Sequence, residues 1–252
     1  MDSRPLPPPA IDLVLFDLDG TLVDSAPDLC AAVAFALREV GLPPHDVDAV
    51  RRMIGEGQRV LIERAITRAA ERAGVPASSI DVDDVLRRFR AYYSDHLVVD
   101  TALYPGVVET LRTLHALRLP LCVATNKPGV WARRIVEHFG LLPYFGSLAA
   151  VLGEDDVGAR KPDPRLIHHH CQRLGIAEGR SLLVGDSAID WQTAQRAGCQ
   201  FAYCTYGFGD KSTEEAIAAT VSRGDIVLGS PARPHIFATM SDLLRLPALA
   251  AG

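Results

Sequence analysis

The 252-residue chain contains no CxxC pair, and its cysteines number five: Cys30, Cys122, Cys171, Cys199 and Cys204. An odd count without paired spacing argues against a disulfide framework or a thiolate zinc site, so reduced, buried thiols in a cytoplasmic protein are expected. Long hydrophobic runs are also missing; none approaches the roughly 20 residues of a membrane span. The N-terminal MDSRPLPPPA lacks the basic, apolar and small-residue order of a secretory signal and reads as a flexible arm over residues 1–10. Basic charge is not in excess: 26 Lys and Arg face 31 Asp and Glu, for a net charge of -5, and no basic run stands out. Neither nucleic acid nor a membrane is therefore an expected partner. No GxxxxGK[ST] run exists to cradle a nucleotide, and no GxSxG elbow exists to carry a nucleophilic serine. Aromatic residues are sparse at 6%, and Trp131 and Trp191, both in helical patterns, are expected to pack rather than to meet a substrate. His168, His169 and His170 are consecutive, so a helix points them in different directions and a shared metal is not expected. No feature selects an oligomeric state.

What is present is enough apolar sequence for a large core, at 48% hydrophobic and 23% charged residues. Short apolar runs at Leu13–Phe16, Leu121–Ala124, Ser147–Leu152, Ser181–Val184, Phe201–Thr205 and Asp225–Leu228 read as buried strands. Helical stripes separate most of them, such as Val107, Val108, Leu111, Leu114 and Leu117. That alternation predicts an α/β fold, a Rossmann-like parallel sheet covered on both faces. Between the first and second strands the rhythm breaks. Three helical stripes follow one another, beginning with Leu29, Val33, Leu37 and Val40, over far more chain than a crossover needs. An inserted all-helical cap is predicted over residues 24–101, with the catalytic core formed by 11–23 and 102–252. Its hinges are expected near Asp24 and Tyr104-Pro105-Gly106.

In an open parallel sheet, ligands bind beyond the carboxyl ends of the strands. The first strand delivers Asp17 and Asp19 there, the second Thr125, Asn126 and Lys127, and the run SLLVGDSAID delivers Asp186 and Asp190, while GARKPDP carries Lys161. Carboxylates crowded together raise one another's pKa and need a cation. Oxygen ligands of this kind suit Mg²⁺, completed by substrate phosphate and water. Two segments, Ser25-Ala26-Pro27-Asp28 and Ser187-Ala188-Ile189-Asp190, also match capping-box spacing, which accounts for Asp190 without any further role. In the cap, Gly55 and Gly57 flank Glu56 ahead of a helix, and glycine lets backbone amides approach a small anion. This loop is expected to close over the site and exclude water.

Asp17-Leu18-Asp19-Gly20-Thr21, Thr125-Asn126, Lys161-Pro162 and Gly185-Asp186-Ser187-Ala188-Ile189-Asp190 resemble, in order, the four motifs of the haloacid dehalogenase superfamily. The resemblance covers nearly the whole chain from Leu13. FDLDGTLVDSAPDL, IGEGQRVLIERA, TNKP, KPDP, VGDSAID and TYGFGD further resemble its bacterial phosphoglycolate phosphatases. The resemblance implies Mg²⁺-dependent hydrolysis of 2-phosphoglycolate, a small phosphorylated metabolite, to glycolate and phosphate. It implies Asp17 as nucleophile, forming an aspartyl phosphate, and Asp19 as general acid and base, with its backbone carbonyl on the metal beside Asp17 and Asp186. Thr125 and Asn126 would bind phosphoryl oxygens, Lys161 would neutralise charge, and Asp190 would orient Asp186, water or Lys161. Two alternatives stay open: a phosphatase of a sugar phosphate such as N-acetylmuramic acid 6-phosphate, and a non-catalytic protein that binds a phospho-ligand on this fold.

Overall fold

The computed structural model describes residues 11–209, 213–217, 235–246 and 249. The strands, in chain order, are β1 (Leu13–Phe16), β2 (Val23–Asp24), β3 (Ala102–Leu103), β4 (Leu121–Ala124), β5 (Val151–Leu152), β6 (Ser181–Gly185), β7 (Gln200–Cys204) and β8 (His235–Phe237). Six of them form one sheet in the order β5-β4-β1-β6-β7-β8, with every neighbouring pair parallel. Every residue of β1, β4 and β6 is buried, which is why these strands are continuous apolar runs rather than alternating ones. Between Ser147 and Leu152 the strand is shorter than expected: Leu148–Ala150 forms a 3-10 turn and only Val151–Leu152 pairs with β4. The segment before Val151 holds no β-branched or aromatic residue to favour extension. The strand expected at Asp225–Leu228 and the arm at residues 1–10 lie outside the described residues, and β8, which pairs with β7, was not anticipated.

Four helices fill the chain between β2 and β3: α1 (Ala26–Arg38), α2 (Val47–Arg51), α3 (Gln58–Ala73) and α4 (Val82–Asp95). They bury Leu29, Val33, Leu37, Ile62, Ile66, Phe89 and Tyr93. β2 and β3 pair antiparallel, so the chain leaves and returns at one place. Asp28 ties that junction, accepting hydrogen bonds from the backbone N–H groups of Val99, Asp100 and Thr101 and from the Thr101 hydroxyl at 2.6–3.1 Å. The capping box expected at Ser25 and Asp28 is therefore absent. Both Asp28 oxygens serve the returning chain, and Ser25 Oγ donates to Asp19 Oδ1 at 2.5 Å. Beyond β3, helices α5 (Val107–Ala116), α6 (Gly129–His138), α7 (Leu142–Phe145), α8 (Arg165–Leu174) and α9 (Ala188–Ala197) punctuate the strands. The chain runs from β1 out to β4 and β5, then crosses back to β6 on the other side of β1. This reversal opens a crevice at the carboxyl end of β1, where the first two aspartates emerge. Among the described residues no helix is long and apolar enough to cross a membrane, and all five cysteines are free and buried.

One buried titratable group lies in the core away from that crevice. His170 on α8 is fully buried and is bonded through Nε2 to the Val123 carbonyl at 3.1 Å, while Nδ1 has no partner. Burial pushes its pKa down to about 4. The unfolded chain takes up this proton near the ordinary value of about 6.5, so the unfolded state binds more protons as pH falls through that window. Comparing urea unfolding of the wild type with His170→Gln should show the wild type's relative stability falling by about 2 kcal/mol between pH 7 and pH 5. An unchanged difference would contradict a neutral, buried imidazole.

Candidate active site

The carboxyl end of β1 turns at Gly20, and Asp17 and Asp19 leave the sheet on either side of the buried Leu18. The two carboxylates find different partners. Asp17 Oδ1 accepts the Leu18 N–H at 2.7 Å and meets Lys161 Nζ at 2.9 Å. Among the described residues nothing donates to its Oδ2. Asp19 accepts Lys127 Nζ at 2.8 and 2.9 Å and the Ser25 hydroxyl at 2.5 Å. Lys127 Nζ also donates to Tyr93 Oη on α4 at 2.9 Å, so one ammonium joins the end of β1 to the helical insert.

Asp186 follows β6. Its Oδ1 accepts the Thr21 hydroxyl at 2.9 Å and its Oδ2 accepts the Phe208 N–H at 2.7 Å. Asp190 opens α9 in a capping box with Ser187, as the sequence indicates, and its Oδ1 also takes Lys161 Nζ at 2.6 Å. A helix cap and a contact to the site are thus not alternatives for this residue. Oxygens of Asp17, Asp186 and Asp190 lie within 4.8 Å of one another, all buried. Burial, only partly offset by Lys161, raises the Asp17 pKa to about 6, and burial with the neighbouring Asp190 and Asp17 raises Asp186 well above the carboxylate range. Burial works against charge on both lysines, but Asp17 and Asp190 around Lys161, and Asp19 and Tyr93 around Lys127, outweigh it and hold each above its ordinary value. Asp190 accepts three hydrogen bonds from Lys161 and Ser187, while Asp17 and Asp186 accept fewer and are oxygen donors of the hard type that fits Mg²⁺. Their raised pKa values fit the same requirement for a cation between them.

Thr125 and Asn126 emerge from β4 and are buried. Thr125 Oγ1 accepts the Lys127 N–H at 3.2 Å, which leaves its proton to donate. The Asn126 side chain is committed to the protein: Oδ1 accepts the Lys161 N–H at 2.6 Å, and Nδ2 donates to the carbonyls of Lys161 and Gly55, each at 3.0 Å. Asn126 therefore ties the Gly55–Gly57 loop to the Lys161 loop. Glu56 is paired with Arg64, and its carbonyl accepts Arg160 Nη1 at 3.4 Å. Arg59 pairs with Asp83 and Glu63 at the exposed surface.

Two cavities meet at Asp17 and Asp19. A small one of about 50 Å³ is walled by Leu29, Ile54, Gln58, Leu61, Tyr93 and Trp131 beside Thr125, Asn126 and Lys127. Trp131 thus lines the site, edge-on to Tyr93 at 5.1 Å, and is not a packing residue only. A wider cavity of about 490 Å³ is walled by Arg52, Arg64, Arg68, Asp186 and Phe208. Lys127 and the Gly207-Phe208-Gly209 turn stand in expected segments, at the end of the second strand and in TYGFGD, but without a role there, and Tyr93 was not anticipated at the site. Lys127 stands directly beside Asn126 in the TNKP run, and the two glycines on either side of Phe208 were the available signal for the turn. A Cβ at Gly207 would meet the Gly20 carbonyl at 2.3 Å, and one at Gly20 would meet Asp186 Oδ2 at 2.2 Å. Only glycine permits this backbone to close on Asp186.

The family model described as haloacid dehalogenase-like hydrolase matches residues 14–204. A phosphoglycolate phosphatase of Chromobacterium violaceum is 42% identical over 206 residues, covering 81% of this chain and 89% of that protein. One from Pseudomonas putida is 36% identical over 239 residues, covering 92% and 84%. A crystal structure from Haemophilus somnus, titled a predicted phosphoglycolate phosphatase, superposes with a TM-score of 0.78 at 33% identity, covering 93% of this chain and 97% of that one.

The closeness of Gly20 to Asp186 is testable. Gly20 also has φ +88°, a conformation costly to other residues. Gly20→Ala should weaken divalent-cation binding, followed by calorimetry, by roughly 10- to 100-fold while the circular dichroism of the fold is kept. Unaltered affinity would show that Asp186 does not hold the cation.

Proposed function

We propose, from the premise that this chain belongs to the haloacid dehalogenase-like hydrolases, that it is a Mg²⁺-dependent phosphatase acting on 2-phosphoglycolate in the cytoplasm. The observation that carries the reading is the pairing of each aspartate with its own buried lysine, Asp17 with Lys161 and Asp19 with Lys127, around a small chamber. Relatives named phosphoglycolate phosphatase across most of the chain support the same substrate.

In this reading Asp17 is the nucleophile. Its carboxylate oxygen attacks phosphorus, the ester P–O bond breaks, and the leaving oxygen takes its proton through Asp19. Asp19 then takes a proton from the water that attacks phosphorus. The bond from phosphorus to Asp17 breaks, which frees phosphate and restores the carboxylate. Thr125 donates its hydroxyl proton, and Asn126 its backbone N–H, to phosphoryl oxygens. Lys161 neutralises charge on Asp17 and on the group in transfer, with Asp190 holding the ammonium in place. Asp17, Asp186 and the Asp19 backbone carbonyl would hold Mg²⁺, which supplies positive charge to the phosphoryl oxygens when bound. The helical insert acts as a cap, and the Gly55–Gly57 loop shuts the chamber against water through its bond to Asn126.

The chamber of about 50 Å³ suits a short leaving group. The wider cavity with Arg52, Arg64 and Arg68 favours a second reading, a bulkier anionic sugar phosphate. A phosphate-release panel with and without Mg²⁺ decides between them. The 2-phosphoglycolate reaction should rank first by kcat/KM, stop with a chelator, and fall by at least about 10³-fold in Asp17→Asn. A sugar phosphate ranking first would shift the substrate, and an active Asp17→Asn variant would overturn the mechanism.

A further inference from the structure

Among the described residues, the chamber walls contain one buried side-chain nitrogen without a hydrogen-bond partner. Gln58 is the first residue of α3, 8% exposed, and one of the residues lining the chamber. Its Oε1 accepts Arg90 Nε at 2.8 Å. A guanidinium has no acceptor, so this bond fixes which end of the amide is which. The other end, Nε2, is buried and has no partner. A buried amide left without an acceptor costs about as much as a lost hydrogen bond, so its presence on a residue that lines the chamber points to an acceptor that arrives with the ligand.

The surroundings specify the charge of that acceptor. Gln58 follows Gly57, the N-cap of a 16-residue helix with no side-chain cap, so the first N–H groups of α3 and the positive end of its dipole lie at the same place. Lys127, whose ammonium is buried, lines the chamber as well. Leu29, Ile54, Leu61 and Trp131 make the wall beside Gln58 partly apolar, suited to a methylene, and Asp17 and Asp19 line the same chamber, where the phosphoryl group is transferred. A neutral alkyl tail would satisfy the apolar wall and leave Nε2 orphaned. A carboxylate satisfies both.

We propose that Gln58 is the specificity-determining residue for the leaving group: its Nε2–H, at the N-terminus of α3, donates to a carboxylate borne about one carbon from the ester oxygen. The inference rests on the reading of the chain as a phosphatase of a small phosphorylated acid and adds how the acid is told from a neutral ester. Arg90 is a positioning residue, turning the amide so that its donor end is the free one.

The test uses two substrates that differ only in the group concerned, 2-phosphoglycolate and ethyl phosphate, with phosphate release measured on the full chain loaded with Mg²⁺. The quantity read is the ratio of their kcat/KM values, which a general loss of activity does not move. Gln58→Leu, which keeps the bulk and removes the donor, should lower the ratio roughly 10- to 100-fold, the range for a hydrogen bond to a charged group. Gln58→Glu keeps the partnership with Arg90 and turns a carboxylate toward the ligand; it should lower the ratio further, and it decides the matter if the leucine variant does not fold. If the unaltered enzyme prefers 2-phosphoglycolate and both variants keep that preference, this role for Gln58 is wrong while the proposed substrate stands. If the unaltered enzyme does not prefer the acid, the substrate reading falls and the carboxylate site falls with it.

Discussion

The site depends on a buried ammonium. Lys161 Nζ lies between Asp17 at 2.9 Å and Asp190 at 2.6 Å, and its side chain is 1% exposed. Three carboxylates within 4.8 Å repel one another, and burial removes the water that would screen them. Lys161 makes the arrangement tolerable on one side and leaves a deficit on the other, where Asp17 and Asp186 remain short of positive charge. In the proposed reaction a divalent cation and, next to it, a phosphoryl group would meet that deficit. Much of the neighbouring geometry serves the same lysine. Asn126 clamps its backbone N–H and carbonyl, and the Ser187 capping box orients Asp190 toward it.

The two aspartates of the first motif are distinguished by their partners, not by their spacing alone. Asp17 belongs to the core cluster. Asp19 belongs to a chain of contacts running through Lys127 to Tyr93 on the helical insert. Trp131 packs against that tyrosine from α6, and Asn126 reaches the carbonyl of Gly55. The group assigned to attack is thus anchored in the sheet, while the group assigned to move protons is anchored where sheet and insert meet. An insert that swings away from the sheet would take Tyr93 from Lys127, the partner of Asp19, and leave the contacts of Asp17 with Lys161 in place.

Much of this was legible in the sequence because buried parallel strands are uniform. LVLF, LCVA and SLLV can hardly be anything else, and the residues directly after them fall at one edge by topology. Less legible were features decided by tertiary competition. Ser25 and Asp28 have capping-box spacing, yet the returning chain at Val99–Thr101 offers Asp28 more hydrogen bonds than a helix end does. Lys127 was expected at the strand end beside Asn126, but its role was not legible, because its partner Tyr93 lies 34 residues away on another element. Gln58 was hidden for the same reason: its meaning comes from Arg90, 32 residues distant, which turns the amide. Local pattern reveals what backbone geometry dictates, and misses which side chain is left with an unspent hydrogen bond.

The central claim is that Asp17 itself becomes phosphorylated. Rapid acid quench during turnover of ³²P-labelled 2-phosphoglycolate, followed by borohydride reduction and peptide sequencing, measures this directly. The account predicts transient label on the protein and conversion of residue 17 alone to homoserine. Turnover at full rate with no protein-bound phosphate, or with label at any other residue, would contradict it.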